Sequence, residues 1–129
     1  MLRTGILNPH VNALLSRVRH TNLLVIADRG FPYWPMIETV DISLIDGIPT
    51  VLQVLTAIRS NFVIGRAWMA NEFTENNDAN TRTRFAASLE GINVEFLPHT
   101  AFKERVPSAI GLVRTGDITQ YANLILESA

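Results

Sequence analysis

Apolar positions fall along the chain in two alternating rhythms. Val11, Leu14, Leu15 and Val18 keep the i, i+3, i+4, i+7 spacing of an amphipathic helix. Asn8-Pro9 supplies its N-cap and a first-turn proline, and the pattern predicts an end near Arg19-His20. Leu23 to Ala27 is a continuous aliphatic run, as expected of a strand buried on both faces. Asp28-Arg29-Gly30-Phe31-Pro32 breaks it, and two prolines and three aromatics between Phe31 and Met36 predict an ordered loop. Val40 to Ile45 alternates as a short strand would. Gly47-Ile48-Pro49 marks a turn, and Thr50 caps a second helix carrying Val51, Leu52, Val54, Leu55 and Ile58.

The second half repeats the scheme. Phe62 to Met69 predicts a strand. The polar run Glu72 to Asn80 predicts a loop or helix start, leading into a helix through Arg84, Phe85 and Leu89 that Gly91 closes at the C′ position. Ile92 to Leu97 predicts a strand, and Thr100 opens a short helix through Arg105 that Pro107 stops. Ala109 to Val113 and Asn123 to Leu126 predict the last strands, joined through Arg114-Thr115-Gly116-Asp117. Strands alternating with helices give an α/β fold: one layered domain over residues 1–129, its mixed, partly parallel sheet flanked by helices.

Composition narrows the function classes. The 129 residues fit one domain. At 47% hydrophobic and 18% charged the composition is that of a globular protein. A net charge of −1 offers no basic field for nucleic acid or an acidic membrane surface. The longest aliphatic run is too short to span a bilayer, and the first residues lack the apolar stretch of a signal peptide, so a cytoplasmic location is expected. Cysteine is absent, which excludes disulfides and thiolate metal sites.

The chemistry-bearing residues cluster at predicted element ends. Tyr121 and Asn123 lie two apart in a run that looks like a strand, which would turn a phenol and an amide to one face. Asp28 follows the first buried strand and His99 follows another, where ligands sit in open α/β sheets. His20 precedes the strand that Asp28 ends, so contact between the two within one chain is not assured; a helix C-cap is the other reading of His20. Asp28 equally suits a turn, or a pair with Arg29. His99 and Lys103 share a helical face one turn apart, or are an exposed cap and a solvated lysine. His10, His20 and His99 show no spacing that suits zinc, and no phosphate-cradling glycine motif occurs, so neither metal nor cofactor is expected. The loop carrying Phe31, Tyr33 and Trp34 suits a subunit contact better than sugar stacking or core.

Taken in order, the motifs resemble those of the D-ribose pyranase / L-fucose mutarotase family over essentially the whole chain. They are Gly5-Ile6-Leu7-Asn8, His20-Thr21-Asn22, Asp28-Arg29-Gly30-Phe31-Pro32, Gly47-Ile48-Pro49 and His99-Thr100-Ala101-Phe102-Lys103. Most specific is the end, Arg114-Thr115-Gly116-Asp117 to Tyr121-Ala122-Asn123-Leu124-Ile125-Leu126. The resemblance implies a ring-forming homo-oligomer, a pentamer or a decamer of two pentamers, with sugar sites between neighbouring subunits. It implies a monosaccharide substrate of ribose or fucose type bound by His20, Asp28, His99, Lys103, Tyr121 and Asn123, with His20, Asp28 and Tyr121 catalytic. Asp117 stands where many members carry Glu, and the Asn71 to Leu89 segment is shorter and differently composed than in ribose enzymes. His99 and Lys103 favour ribose over fucose.

Interconverting cyclic sugar forms requires only that one oxygen lose a proton while another gains one, so acid/base groups suffice. His20, with an ordinary pKa near 6.5, is the expected main proton-transfer group. Asp28 would orient it or bind hydroxyls, and Asn123 would offer a donor and an acceptor to a hydroxyl pair. Mutarotation of L-fucose or a related sugar, a non-catalytic sugar-binding accessory of an uptake system and a metal-dependent hydrolase are the competing readings.

Overall fold

A computed structural model describes residues 1–129. Helix α1 (Pro9–Arg17) starts where the sequence places it. The Asn8 side chain accepts the His10 and Val11 amides, both at 3.0 Å, and Pro9 holds the first turn. Strand β1 (Leu23–Ala27) follows, then β2 (Glu38–Asp41), helix α2 (Val51–Arg59) and strand β3 (Ile64–Ala70). Helix α2 opens with a capping box: the Gln53 amide donates to Thr50 Oγ1 at 3.1 Å and the Thr50 amide to Gln53 Oε1 at 2.9 Å. The chain continues through α3 (Asn71–Asn76), α4 (Ala79–Ser88), β4 (Asn93–Leu97), α5 (His99–Arg105), β5 (Ala109–Arg114) and β6 (Leu124–Ser128).

Several expected boundaries move. The second strand is Glu38–Asp41 rather than Val40 to Ile45, because its parallel partner β5 pairs Glu38 with Gly111 and Asp41 with Arg114. Of the two readings of the polar run after β3, the helix is the one formed over most of it: Asn71–Asn76 is a separate short helix anchored by buried Phe73. Gly91 does take a positive φ of 81°, but α4 ends at Ser88, so the glycine lies beyond C′. The sharpest correction concerns the last segment. Neither Tyr121 nor Asn123 is in a strand, since β6 begins at Leu124 and Tyr121 has a φ of 55°. A residue in the left-handed region turns the chain instead of extending it, so these side chains do not share a strand face.

The sheet order is β2-β5-β1-β6-β3-β4. β2, β5 and β1 run parallel, as do β3 and β4, and β6 lies antiparallel between β1 and β3. The carboxyl ends of five strands therefore share one edge with the amino end of β6. One sheet face packs Leu24, Ile26, Leu124 and Leu126 against α1, α2 and α4 in a cluster of 19 buried residues. The other carries a cluster of 9, built from Val25, Ala27, Ile125, Trp68 and Leu112 against Phe31, Phe102 and Val106. This second face is thinly covered, by α5 and the Phe31–Trp34 loop, and those two elements border the carboxyl edge. Gly111 lets α1 lie close on β5: a Cβ there would fall 2.5 Å from Leu14 Cδ1 and 3.0 Å from the Glu38 carbonyl oxygen.

Candidate functional site

At the carboxyl edge a cavity of about 350 Å³ is lined by Asp28, Gly30, Phe31, Pro32, His99, Gln120, Tyr121 and Asn123. Each polar wall comes from the end of a different strand. Asp28 directly follows β1, His99 follows β4, and the Gln120–Asn123 turn leads into β6.

Asp28 is held from several sides. Its amide donates to Asn123 Oδ1 at 2.7 Å, Asn123 Nδ2 donates to Asp28 Oδ2 at 3.1 Å, and the Gly30 amide donates to Asp28 Oδ1 at 2.9 Å. Asn123 is 2% exposed, so both ends of its amide serve Asp28. The chain beneath is pinned as well. Thr115 gives both its amide and its hydroxyl to the Ala27 carbonyl, at 2.8 and 2.9 Å, and the Arg29 amide donates to the Asp117 carbonyl at 3.1 Å. The buried Asp117 carboxylate in turn accepts the Val51 amide at the start of α2 and the Thr119 amide, each at 2.8 Å. Arg114 reaches over the loop, donating to the Phe31 carbonyl and pairing with Asp41 at 3.5 Å.

These surroundings move two groups toward each other on the pH scale. Burial pushes the Asp28 carboxyl above the usual carboxylate range, and the Asp117 charge adds to it; the Gly30 amide, the Asn123 carboxamide and the Phe31 amide offset part of the rise. Burial and then the Lys103 ammonium push His99 below its ordinary value, against the opposing pull of Glu72 and Asp28. The His99 ring stands edge-on to Tyr121, with centroids 5.0 Å apart, and lies near Phe31 and Phe102. Its Nδ1 is buried with no partner, so a proton placed there would be a buried N–H without an acceptor. Both effects favour the neutral ring. A carboxyl shifted up and an imidazole shifted down around one polar cavity suit proton exchange with a hydroxylated ligand.

Of the six residues singled out from sequence, Asp28, His99, Tyr121 and Asn123 line this cavity. Lys103 stands one turn along α5 and acts on it through the charge it presents to His99. His20 does not approach it. It is exposed at the amino end of β1, on a turn fixed by the Thr21 amide donating to the Ser128 carbonyl at 2.8 Å. The sequence reading missed Glu72, whose carboxylate accepts the His99 amide at 3.0 and 3.1 Å; its place just after an apolar strand was the available signal. The two non-glycine residues with positive φ are Thr21, beside His20, and Tyr121. No three His, Asp or Glu side chains gather as a metal cluster would require. A larger cavity, about 410 Å³ between α4 and β4, is mostly apolar and gathers no comparable set of polar groups.

The whole chain, residues 1–129, matches the RbsD / FucU transport protein family. The D-ribose pyranase of Geobacillus kaustophilus is 38% identical over 128 residues, covering 99% of this chain and 93% of that protein. The structure of Bacillus subtilis RbsD complexed with D-ribose superposes with a TM-score of 0.91 at 29% identity, covering 100% of this chain and 98% of that one. The fucose mutarotase of Streptococcus pneumoniae, solved with L-fucose, shares the fold at a TM-score of 0.83 and 20% identity, over 99% and 98% of the two chains.

Proposed function

The chain belongs to the RbsD / FucU transport protein family, and from that premise we propose that it is an isomerase interconverting the cyclic forms of a free monosaccharide, foremost the pyranose and furanose forms of D-ribose. The observation that carries this reading is the polar cavity in which Asp28, clamped by Asn123, is grouped with His99 and Tyr121. Curated relatives named D-ribose pyranase, 31% to 38% identical over almost the full length, support it.

The reaction needs two proton movements. The anomeric hydroxyl gives up its proton as the ring oxygen takes one, the C–O bond to that oxygen breaks, and the open aldehyde forms. A hydroxyl then adds back to the carbonyl with the reverse transfers. Closure through a different hydroxyl changes ring size; closure on the other face changes the anomer. Positioned acid and base groups contribute about 10²–10⁴-fold to such a step. Asp28, which gains affinity for protons on burial, is suited to accept one. His99 Nε2, the Tyr121 hydroxyl and Lys103 bind and polarise the sugar. His20 is the main transfer group.

His20 lies too far along β1 to act within its own chain, so the reading requires a ring-forming homo-oligomer in which a neighbouring copy carries its His20 to the cavity. Exposed Leu44, Ile45, Ile48 and Ile118 border the loops that support Asp28 and suit burial against that copy. Tyr33, 69% exposed on the aromatic loop, suits the same contact.

Saturation-transfer NMR of D-ribose and L-fucose, with and without the protein, tests the function. Faster exchange of ribose than of fucose is expected. Sugar binding with no acceleration of either would leave a carrier in place of an enzyme.

A further inference from the structure

Helix α5 presents His99 from its first turn, yet nothing on its own strand or loop caps it. The residue ahead is Pro98, and no side chain of the helix start accepts the His99 amide. The acceptor is Glu72, 27 residues upstream on α3, with Oε1 at 3.1 Å and Oε2 at 3.0 Å. A carboxylate shared in this way fixes both the position and the direction of the helix start.

The same short helix reaches the opposite wall. Asn77, the C-cap of α3, donates to the Gln120 carbonyl at 2.8 Å and to the Phe73 carbonyl at 2.8 Å. Buried Phe73, against Phe85, roots α3 in the core between these two holds. The gap between His99 and the Tyr121 turn is thus spanned from behind by one element.

Four ionisable groups face the imidazole. Lys103 is on α5 itself, Glu72 comes from α3, Asp28 from the end of β1, and the Tyr121 phenol from the turn before β6. Lys103 repels a charged ring, whereas Glu72 and Asp28 attract one. We propose that Glu72 is a positioning residue for this site: its carboxylate seats the start of α5, and with it the His99 ring, while its charge counters the Lys103 ammonium one turn away. The assignment rests on the proposed isomerase reading for its kinetic consequence, but not for its effect on His99.

Two variants of the full chain separate the hold from the charge. Glu72→Gln keeps an oxygen for the His99 amide and removes the charge. Glu72→Ala removes both. Followed by imidazole NMR, His99 should titrate at lower pH in Glu72→Gln than in the parent chain. In ribose exchange, Glu72→Ala should lose on the order of 10- to 100-fold in kcat, the scale of an ångström-sized misplacement. Glu72→Gln should retain most of the parent kcat at neutral pH. A His99 titration unmoved in Glu72→Gln overturns the proposal, as does parent kcat in a folded Glu72→Ala. Should the parent chain accelerate no sugar at all, the proposed function fails, and the His99 titration alone still decides the role of Glu72.

Discussion

The two edges of the sheet differ in kind. At the carboxyl edge polar side chains from three strand ends meet in one cavity, and two of them are backed by a second group, Asn123 behind Asp28 and Glu72 behind His99, with Thr115 and Asp117 below. At the amino edge a single imidazole, His20, stands exposed on a turn. That turn is nevertheless not loose. Thr21 has a φ of 65°, costly for a β-branched residue, and is tied to the end of β6. The edges are separated by the five residues of β1, about 16 Å at a strand's rise. The cavity is furnished by its own chain, whereas the exposed histidine at the far edge takes no part in it within that chain.

Substituting the far edge is the hardest test of that contrast. His20→Ala should lower exchange by about 10²–10⁴-fold without unfolding the chain. Co-folding His20→Ala with Asp28→Asn subunits should then restore activity in roughly a quarter of the sites, as random pairing around a closed ring dictates. Parent-like exchange in His20→Ala, or no recovery in mixed assemblies, breaks the two-edge reading. Within the cavity, Asn123→Ala strips Asp28 of two hydrogen bonds. A loss of about 1–3 kcal/mol by urea unfolding is expected, and the Asp28 carboxyl should titrate still higher by ¹³C NMR, because the Asn123 bond now lowers it. Gly111→Ala acts away from both edges, on the α1 packing. It should cost about 1–3 kcal/mol of stability while ribose exchange stays at the parent rate; a kinetic defect there would show that the core face and the site are coupled.

The smallest effect is on pH dependence. His99 is held below its ordinary value of 6.5, so as pH falls through that range the unfolded chain takes up a proton that the folded one refuses. Folding stability carried by the neutral ring is present above pH 6.5 and is lost on acidification. The urea midpoint should therefore fall more steeply below that pH in the parent than in His99→Gln, and equal slopes would contradict the neutral imidazole.

What the sequence discloses here is local or periodic. Asn8, Pro9, Thr50 and Gln53 announce their helices because a cap is a contact between near neighbours, and Leu23 to Ala27 announces a buried strand by being apolar throughout. The strand start at Glu38 was hidden because it is set by pairing with Gly111, 73 positions on. Tyr121 misled more: a run of Tyr-Ala-Asn-Leu-Ile-Leu has a strand's composition, and nothing adjacent forces the left-handed turn that swings Tyr121 toward His99. For Asn123 the residue type was informative and the partner was not, since its amide is engaged with a carboxylate 95 positions away. Glu72 sat inside a polar stretch that reads as solvated surface. His20 and Asp28 stand out through motifs, and their separation by one strand leaves contact within a single chain unassured.

Of the six strands, β6 is synthesised last, yet its place is between β1 and β3, in the middle of the sheet. Until that segment docks, β2-β5-β1 and β3-β4 are two ribbons with no seam, each offering an open hydrogen-bonding margin to other chains. Docking of Leu124–Ser128 closes both margins and, in the same motion, draws Tyr121 and Asn123 into the cavity mouth. The chain therefore acquires its interior and its working surface together, when β6 joins the sheet.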